Sequence, residues 1–239
     1  MKKVTLFAVL LFIVAVQSVT AQRLKVITSP NGKIELTVFS SAWGVPGYYV
    51  KLDGDTLIND SQLGLRYSGS EITGHAIEKV NYKWERTDSI NGVKYNEMIV
   101  SFNQPYKGAY KVYARAYDNG IALKQAYSLG SAEKALLHDD NTTIYFAPKA
   151  ELIKDAGTMP IDSVKALSFP AEIKLENGKN ITLSNTSLKD YPEMELNANK
   201  EVSNMLKVGL RPMYKGNDMI KAVLPVTFET PWLKMEIKE

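Results

Sequence analysis

The feature that most constrains this chain is an apolar residue at every second position, repeated from one end to the other. Lys33-Ile34-Glu35-Leu36-Thr37-Val38 alternates polar and apolar side chains, so Ile34, Leu36 and Val38 share one face of an extended strand. Met98, Val100 and Phe102 repeat the pattern, as do Tyr110, Val112, Ala114 and Ala116, then Leu206, Val208 and Leu210. Leu224, Val226 and Phe228 read as one further run, and Met235 and Ile237 close the series. A helix would need a spacing near 3.6, so these segments predict half-buried strands. Asp118-Asn119-Gly120 predicts a type I′ hairpin, because Asn-Gly accepts positive φ. Glu176-Asn177-Gly178-Lys179 predicts a second hairpin, between Ile173/Leu175 and Ile181/Leu183. Many short strands with turns between them indicate an all-β sandwich or barrel. Helical signals are sparse. Ser131–Leu137 predicts two helical turns with Ser131 as N-cap, and Ala150–Asp155 is ambiguous between helix and strand. Residues 155–170 read as a long connection.

The first segment has a different pattern. Met1-Lys2-Lys3 is basic, Val4–Val16 is apolar except for Thr5, and Val19-Thr20-Ala21 carries small residues before Gln22. This predicts a secretory signal peptide over residues 1–21, cleaved after Ala21. The apolar run is shorter than the roughly 20 residues a membrane span needs. The leader has a bacterial look, so the expected location is periplasmic or secreted, with no membrane attachment after cleavage. Residues 22–239 are expected to form one domain.

Composition narrows the function. Removing the leader takes two lysines from a chain of net charge +3, leaving +1. That balance argues against a nucleic-acid partner, which usually needs a basic patch. There is no cysteine, so an exported chain must hold together by packing, and thiolate zinc sites are excluded. His75 and His138 are the only imidazoles.

Candidate chemistry is thin. Asp53-Gly54-Asp55 resembles the start of a calcium loop, but the remaining ligands are not at their spacings, and it reads as a turn. His138-Asp139-Asp140-Asn141 could bind a cation; the competing reading is a solvated loop held by Asx hydrogen bonds. No carboxylate pair stands out as the acid and base of a glycosidase. Trp43, Trp84 and Trp232 could stack on sugars, against a default role in the core or on a sheet face. Four Asn-X-Ser/Thr triplets begin at Asn59, Asn141, Asn180 and Asn185, and carry no weight in a bacterial protein.

Six stretches in order resemble the N-terminal domain of glycoside hydrolase family 97. They are Ser29-Pro30-Asn31-Gly32-Lys33, Ser61-Gln62-Leu63-Gly64-Leu65, Tyr95–Val100, Arg115–Ala122, Leu188–Met194 and Thr230-Pro231-Trp232. The hairpin Arg115–Ala122 is the most specific. The resemblance implies an antiparallel β-super-sandwich of the galactose mutarotase-like kind. It implies that such a domain packs on a (β/α)₈ catalytic barrel in exported, calcium-dependent enzymes acting on α-linked glucose or galactose. It also implies that the domain lends one calcium-ligand Glu just before the Asp-Tyr landmark.

Two departures shape the expected function. A (β/α)₈ barrel typically takes about 250 residues, whereas seven follow Trp232. The position implied for the calcium-ligand Glu is Asn185, whose amide brings no charge to the ion. We therefore expect no catalytic residue, no cofactor and no metal in this chain. The expected function is a non-catalytic sandwich that binds carbohydrate or protein. A split glycosidase subunit, working with a separately encoded barrel, is the alternative. A mutarotase-like epimerase borrows only from the fold and would need His75 or His138. Asp190 and Trp232 mark the candidate former barrel or ligand contact, and Asn185 stands at the implied calcium-ligand position.

Overall fold

A computed structural model describes residues 23–41, 44–67, 70–71, 80–90, 92–104, 108–128, 134–154, 157–214 and 219–238. The leader, Trp43 and His75 lie outside these residues. The alternating segments form antiparallel strands throughout. The first sheet is a meander of β1 (Arg23–Thr28), β2 (Ile34–Ser40), β3 (Pro46–Leu52) and β4 (Asp55–Gln62).

A ten-stranded sheet forms the largest layer. From one edge it runs β14 (Gly157–Pro160), β13 (Ala150–Lys154), β16 (Ala171–Leu175), β17 (Asn180–Asn185), β22 (Leu233–Lys238), β10 (Gly120–Ser128), β9 (Gly108–Tyr117), β8 (Val93–Gln104) and β7 (Val80–Ile90). Short β21 (Thr227–Glu229) also pairs with β10. Two four-stranded sheets complete the fold. One is β20 (Ala222–Pro225), β11 (Lys134–Asp140), β5 (Leu65–Tyr67) and β6 (Ser70–Glu71). The other is β12 (Thr143–Tyr145), β19 (Met205–Leu210), β18 (Met194–Ala198) and β15 (Leu167–Ser168).

The core is one contiguous cluster built from the inward faces of these sheets. Ile34, Leu36, Val38, Met98, Val100, Phe102, Val112, Ala114, Leu206 and Val208 are all buried in it. This is the all-β antiparallel sandwich that the alternation predicts. A bridge between Ile58 and Phe146 ties the first sheet to β12, and the buried Tyr48 hydroxyl donates to the Thr143 carbonyl at 2.9 Å.

Four local expectations need correction. The predicted helix Ser131–Leu137 is strand β11 from Lys134 onward, with 131–133 outside the described residues. Ala135 and Leu137 fill the core at every second position, and pairing with β5 and β20 on either side overrides the helical propensity. The ambiguous Ala150–Lys154 is strand β13. Residues 157–168 are not a bare connection; they hold β14, a 3₁₀ turn at Ile161–Ser163 and β15. The run Leu224–Phe228 is broken at Val226: β20 ends at Pro225 in one sheet and β21 begins at Thr227 in another.

The hairpins are present, with one change of geometry. Tyr117 pairs with Gly120, so the central residues are Asp118 and Asn119, and neither has positive φ. The turn is not type I′. Gly120 is required for a different reason: a Cβ there would lie 2.1 Å from the Met235 carbonyl oxygen of β22. The type I′ geometry is found instead at Asp53-Gly54, with φ of 52° and 90°. That triplet is therefore a turn, as read, and Leu52 pairs with Asp55 across it.

Candidate functional site

Three landmark segments, those of Tyr95, Arg115 and Trp232, meet on the outward face of the ten-stranded sheet. On β9, Tyr110, Val112, Ala114 and Ala116 face the core, which leaves Tyr113, Arg115 and Tyr117 on the other side. The Asp118 carboxylate accepts the Asn31 backbone N–H at 2.8 Å, and the Asn119 carbonyl accepts the Ile237 N–H at 2.7 Å. The hairpin tip is thereby held by both ends of the described chain. Trp232 enters just before β22. Its N–H donates to the Thr186 hydroxyl at 2.9 Å, and its carbonyl accepts the Thr186 N–H at 3.0 Å.

These anchors bring a set of aromatic and cationic groups together. The Arg115 guanidinium lies 4.1 Å from the Trp232 ring centroid and 4.5 Å from that of Tyr95. Its Nε donates to Glu97 Oε2 at 2.5 Å, across the β8–β9 ladder. The Lys124 ammonium lies 4.5 Å from the Tyr113 ring and 5.1 Å from Trp232, and is paired with Glu229 at 2.6 Å. Tyr113 meets Trp232 edge-on at 6.5 Å. Cation–π contacts of this kind are worth about 0.5–2 kcal/mol each, more as water is excluded. Partial burial opposes the charge on Arg115, but the Glu97 carboxylate outweighs it and holds the guanidinium above its ordinary range. Burial, with help from Glu229 and Glu97, pushes the Tyr113 phenol up. Beside this cluster lies an open pocket of about 400 Å³, bordered by Arg115, Tyr117, Thr186, Trp232, Lys234 and Glu236.

The residues nominated from sequence fare differently. Trp232 is at the centre of the cluster. Asn185 ends β17, half-buried, opposite Leu233, and its Nδ2 donates to the Thr186 carbonyl at 3.2 Å. Asp190 is exposed in a turn, while Tyr191 beside it is buried, with its hydroxyl unpartnered among the described residues. Among the described residues no three His, Asp or Glu side chains are grouped to hold a metal ion. Asn185 offers a neutral amide already engaged with backbone. Its Oδ1 could coordinate calcium but would bring no charge to help hold the ion. The His138–Asn141 segment is not a solvated loop, because β11 runs to Asp140, which is buried; the Asx hydrogen bond expected there is present, with Asp140 Oδ1 accepting the Thr142 N–H at 2.8 Å. Sequence reasoning missed Arg115 and Lys124 as partners of Trp232. The signal was present in Tyr113 and Arg115, the polar alternates of a strand whose apolar alternates face the core.

Comparison with known proteins agrees with this architecture. Residues 27–238 match the family Glycosyl-hydrolase 97 N-terminal. The chain belongs to that family. Among solved structures it is similar to a variant of a Glycoside Hydrolase Family 97 enzyme from Pseudoalteromonas sp. strain K8, with a TM-score of 0.75 and 21% identity over 90% of this chain. The same enzyme matches equally in a complex with acarbose. A β-arabinopyranosidase matches with a TM-score of 0.74 and 18% identity, again over 90% of this chain. The chain spans 36% of the Pseudoalteromonas enzyme and 40% of the arabinopyranosidase, so the likeness is to one part of each. A galactose 1-epimerase from Lactobacillus acidophilus NCFM also matches, with a TM-score of 0.45 and 10% identity. No curated protein matches.

Proposed function

We propose that this chain is an exported, non-catalytic sandwich module that works by binding, with the outward face around Trp232 as its contact surface. The observation that carries this reading is the Tyr95–Arg115–Trp232–Lys124–Tyr113 cluster on a sheet face. Trp, Tyr and Arg are the residue types that dominate protein-interface energetics, especially when their neighbours exclude water. A protein partner is favoured over a sugar at this spot. The Trp232 ring has two cations near its centroid, which leaves little open face for a pyranose to stack on. The amide at Asn185, in place of a metal-ligand carboxylate, supports a non-catalytic role.

A second reading names the partner as a glycosidase (β/α)₈ barrel encoded as a separate chain. It is favoured by the partial coverage of the matched enzymes, whose remaining length must hold other domains. Titrating residues 22–239 with a barrel protein encoded beside this gene tests both statements. The expected result is saturable binding that Trp232→Ala and Arg115→Ala each weaken by tenfold or more. Binding unaffected by both substitutions would remove this face as the contact.

Export rests on the leader pattern of residues 1–21. N-terminal sequencing of the protein recovered from a periplasmic fraction should begin at Gln22. A protein recovered from the cytoplasm starting at Met1 would contradict it.

A further inference from the structure

A second concave surface lies over the two smaller sheets, away from the Trp232 cluster, and its construction points to a ligand. The groove measures about 1260 Å³. That exceeds the 300–1,000 Å³ of sites that enclose a single small molecule, and suits a segment of an extended chain. Its distinctive feature is a β-bulge. The register between β11 and β5 shifts between Leu137 and Asp139, so His138 is an extra residue in the strand. Successive side chains of a regular strand point to opposite faces. Here His138 and Asp139 both line the groove, which is the re-aiming that bulges accomplish beside functional sites.

Four basic groups gather round that bulge. Arg66 is the cross-strand neighbour of Asp139 on β5. The Lys207 ammonium donates to Asp139 Oδ2 at 2.7 Å. The Lys221 N–H donates to the Leu137 carbonyl at 2.7 Å, which seats that residue beside the bulge. His138 Nδ1 lies 2.7 Å from the Met219 carbonyl. A carbonyl only accepts, so Nδ1 is the donor in this contact, which holds the ring in place beside the bulge. All four line the same groove, with Asp139 as the one carboxylate among them. Neither Arg66 nor Lys221 has a carboxylate partner among the described residues.

Further along, two of the three acidic groups of the wall, Asp162 and Glu195, are already engaged. Asp162 accepts from the Ser203 hydroxyl at 2.6 Å and the Asn204 N–H at 2.8 Å. Glu195 accepts from Arg211 Nε at 3.0 Å. The groove is therefore cationic at the bulge and of mixed charge further along, where Lys165 and Lys200 face Asp162, Glu195 and Glu201, with the amides of Gln62 and Asn141 on its wall. We propose that this groove binds a segment of an anionic polysaccharide, seating a carboxylate or sulfate substituent among Arg66, Lys207 and Lys221. The proposal is independent of the reading of the outward face, since the two surfaces share no residue.

Calorimetric titration of residues 22–239 with three oligosaccharides of equal length tests it: oligogalacturonate, chondroitin sulfate and neutral maltooligosaccharide. At least one anionic oligomer should bind tenfold or more tightly than the neutral one. Which anionic oligomer binds distinguishes a uronate from a sulfate ligand. The double variant Arg66→Gln/Lys221→Gln should lose that binding by at least tenfold. Lys154→Gln/Lys174→Gln removes the same charge from exposed positions outside the groove and should change it less than twofold. Circular dichroism and thermal melts of both variants establish that each is folded. Equal affinity for the neutral oligomer, or an equal loss in the control variant, would overturn the proposal. So would the absence of binding to either anionic oligomer.

Discussion

Asp140 is the residue whose environment is least expected from its neighbours in sequence. It is 1% exposed, and burial pushes its carboxyl up to about 7, against the hydrogen bonds from Thr142 that favour the charge. The nearby Asp139 raises it further and Lys207 lowers it. Around it lies a buried polar network. The Tyr110 and Tyr127 hydroxyls both donate to Gln125 Oε1, at 2.9 and 2.8 Å, and Gln125 Nε2 donates to the Thr142 hydroxyl at 3.0 Å. The sign of the linkage follows from the raised value. Below the unfolded pKa of 3.8 both states hold the proton and Asp140 costs nothing. Between there and about 7 the unfolded chain releases the proton while the folded one keeps it, so stability falls as pH rises. Asp140→Asn keeps an oxygen for the Thr142 N–H and removes the titration. Urea unfolding at pH 5 and pH 8 should show the native protein losing roughly 1–3 kcal/mol that the variant retains. A parallel loss in both would place the pH dependence elsewhere. None of this was legible beforehand. His138-Asp139-Asp140-Asn141 reads as a polar loop, and only the bulge in β11 turns Asp140 inward while its two predecessors face out.

At the scale of elements, the strands were legible wherever strict alternation coincided with one buried face. Ile34, Leu36 and Val38 on β2, and Tyr110 to Ala116 on β9, are buried as the pattern requires. Pattern reading failed where pairing decided the outcome. The Ser131–Leu137 segment has helical propensity, but β5 and β20 supply hydrogen bonds on both of its edges. The Leu224–Phe228 run keeps its alternation across two sheets because Pro225 cannot donate to a continuing ladder. The Asn119-Gly120 turn shows a finer miss. The glycine is needed for close approach of β22, not for a primed turn. Gly120→Ala should therefore cost about 2–4 kcal/mol, in the range of severe backbone clashes, whereas Gly178→Ala, with φ of 85° and open space around its Cβ, should cost about 1 kcal/mol. Denaturant midpoints of the two variants check the order, and a smaller loss at Gly120 would contradict the packing described for β22.

At the scale of the whole molecule, the landmarks that carried the family resemblance turn out to be spatial neighbours. Asn31, Asp118 and Trp232 come from three of the six stretches; a hydrogen bond joins Asn31 to Asp118, and another joins Trp232 to Thr186, just ahead of the fifth stretch. Trp232 was nominated from sequence as a landmark of the former barrel or ligand contact, and it lies in the aromatic and cationic cluster of the outward face. Asn185 and Asp190 were nominated by the same route and do not join it. The implied calcium ligand is an amide bound to backbone, and the Asp is exposed. For the binding module proposed above, the chemistry is that of contact rather than bond cleavage. The most direct measurement is hydrolysis of α- and β-linked nitrophenyl glycosides by purified residues 22–239, with and without calcium. Rates at the uncatalysed background under both conditions are expected for a binding module. Robust turnover, above all turnover that calcium stimulates, would contradict it.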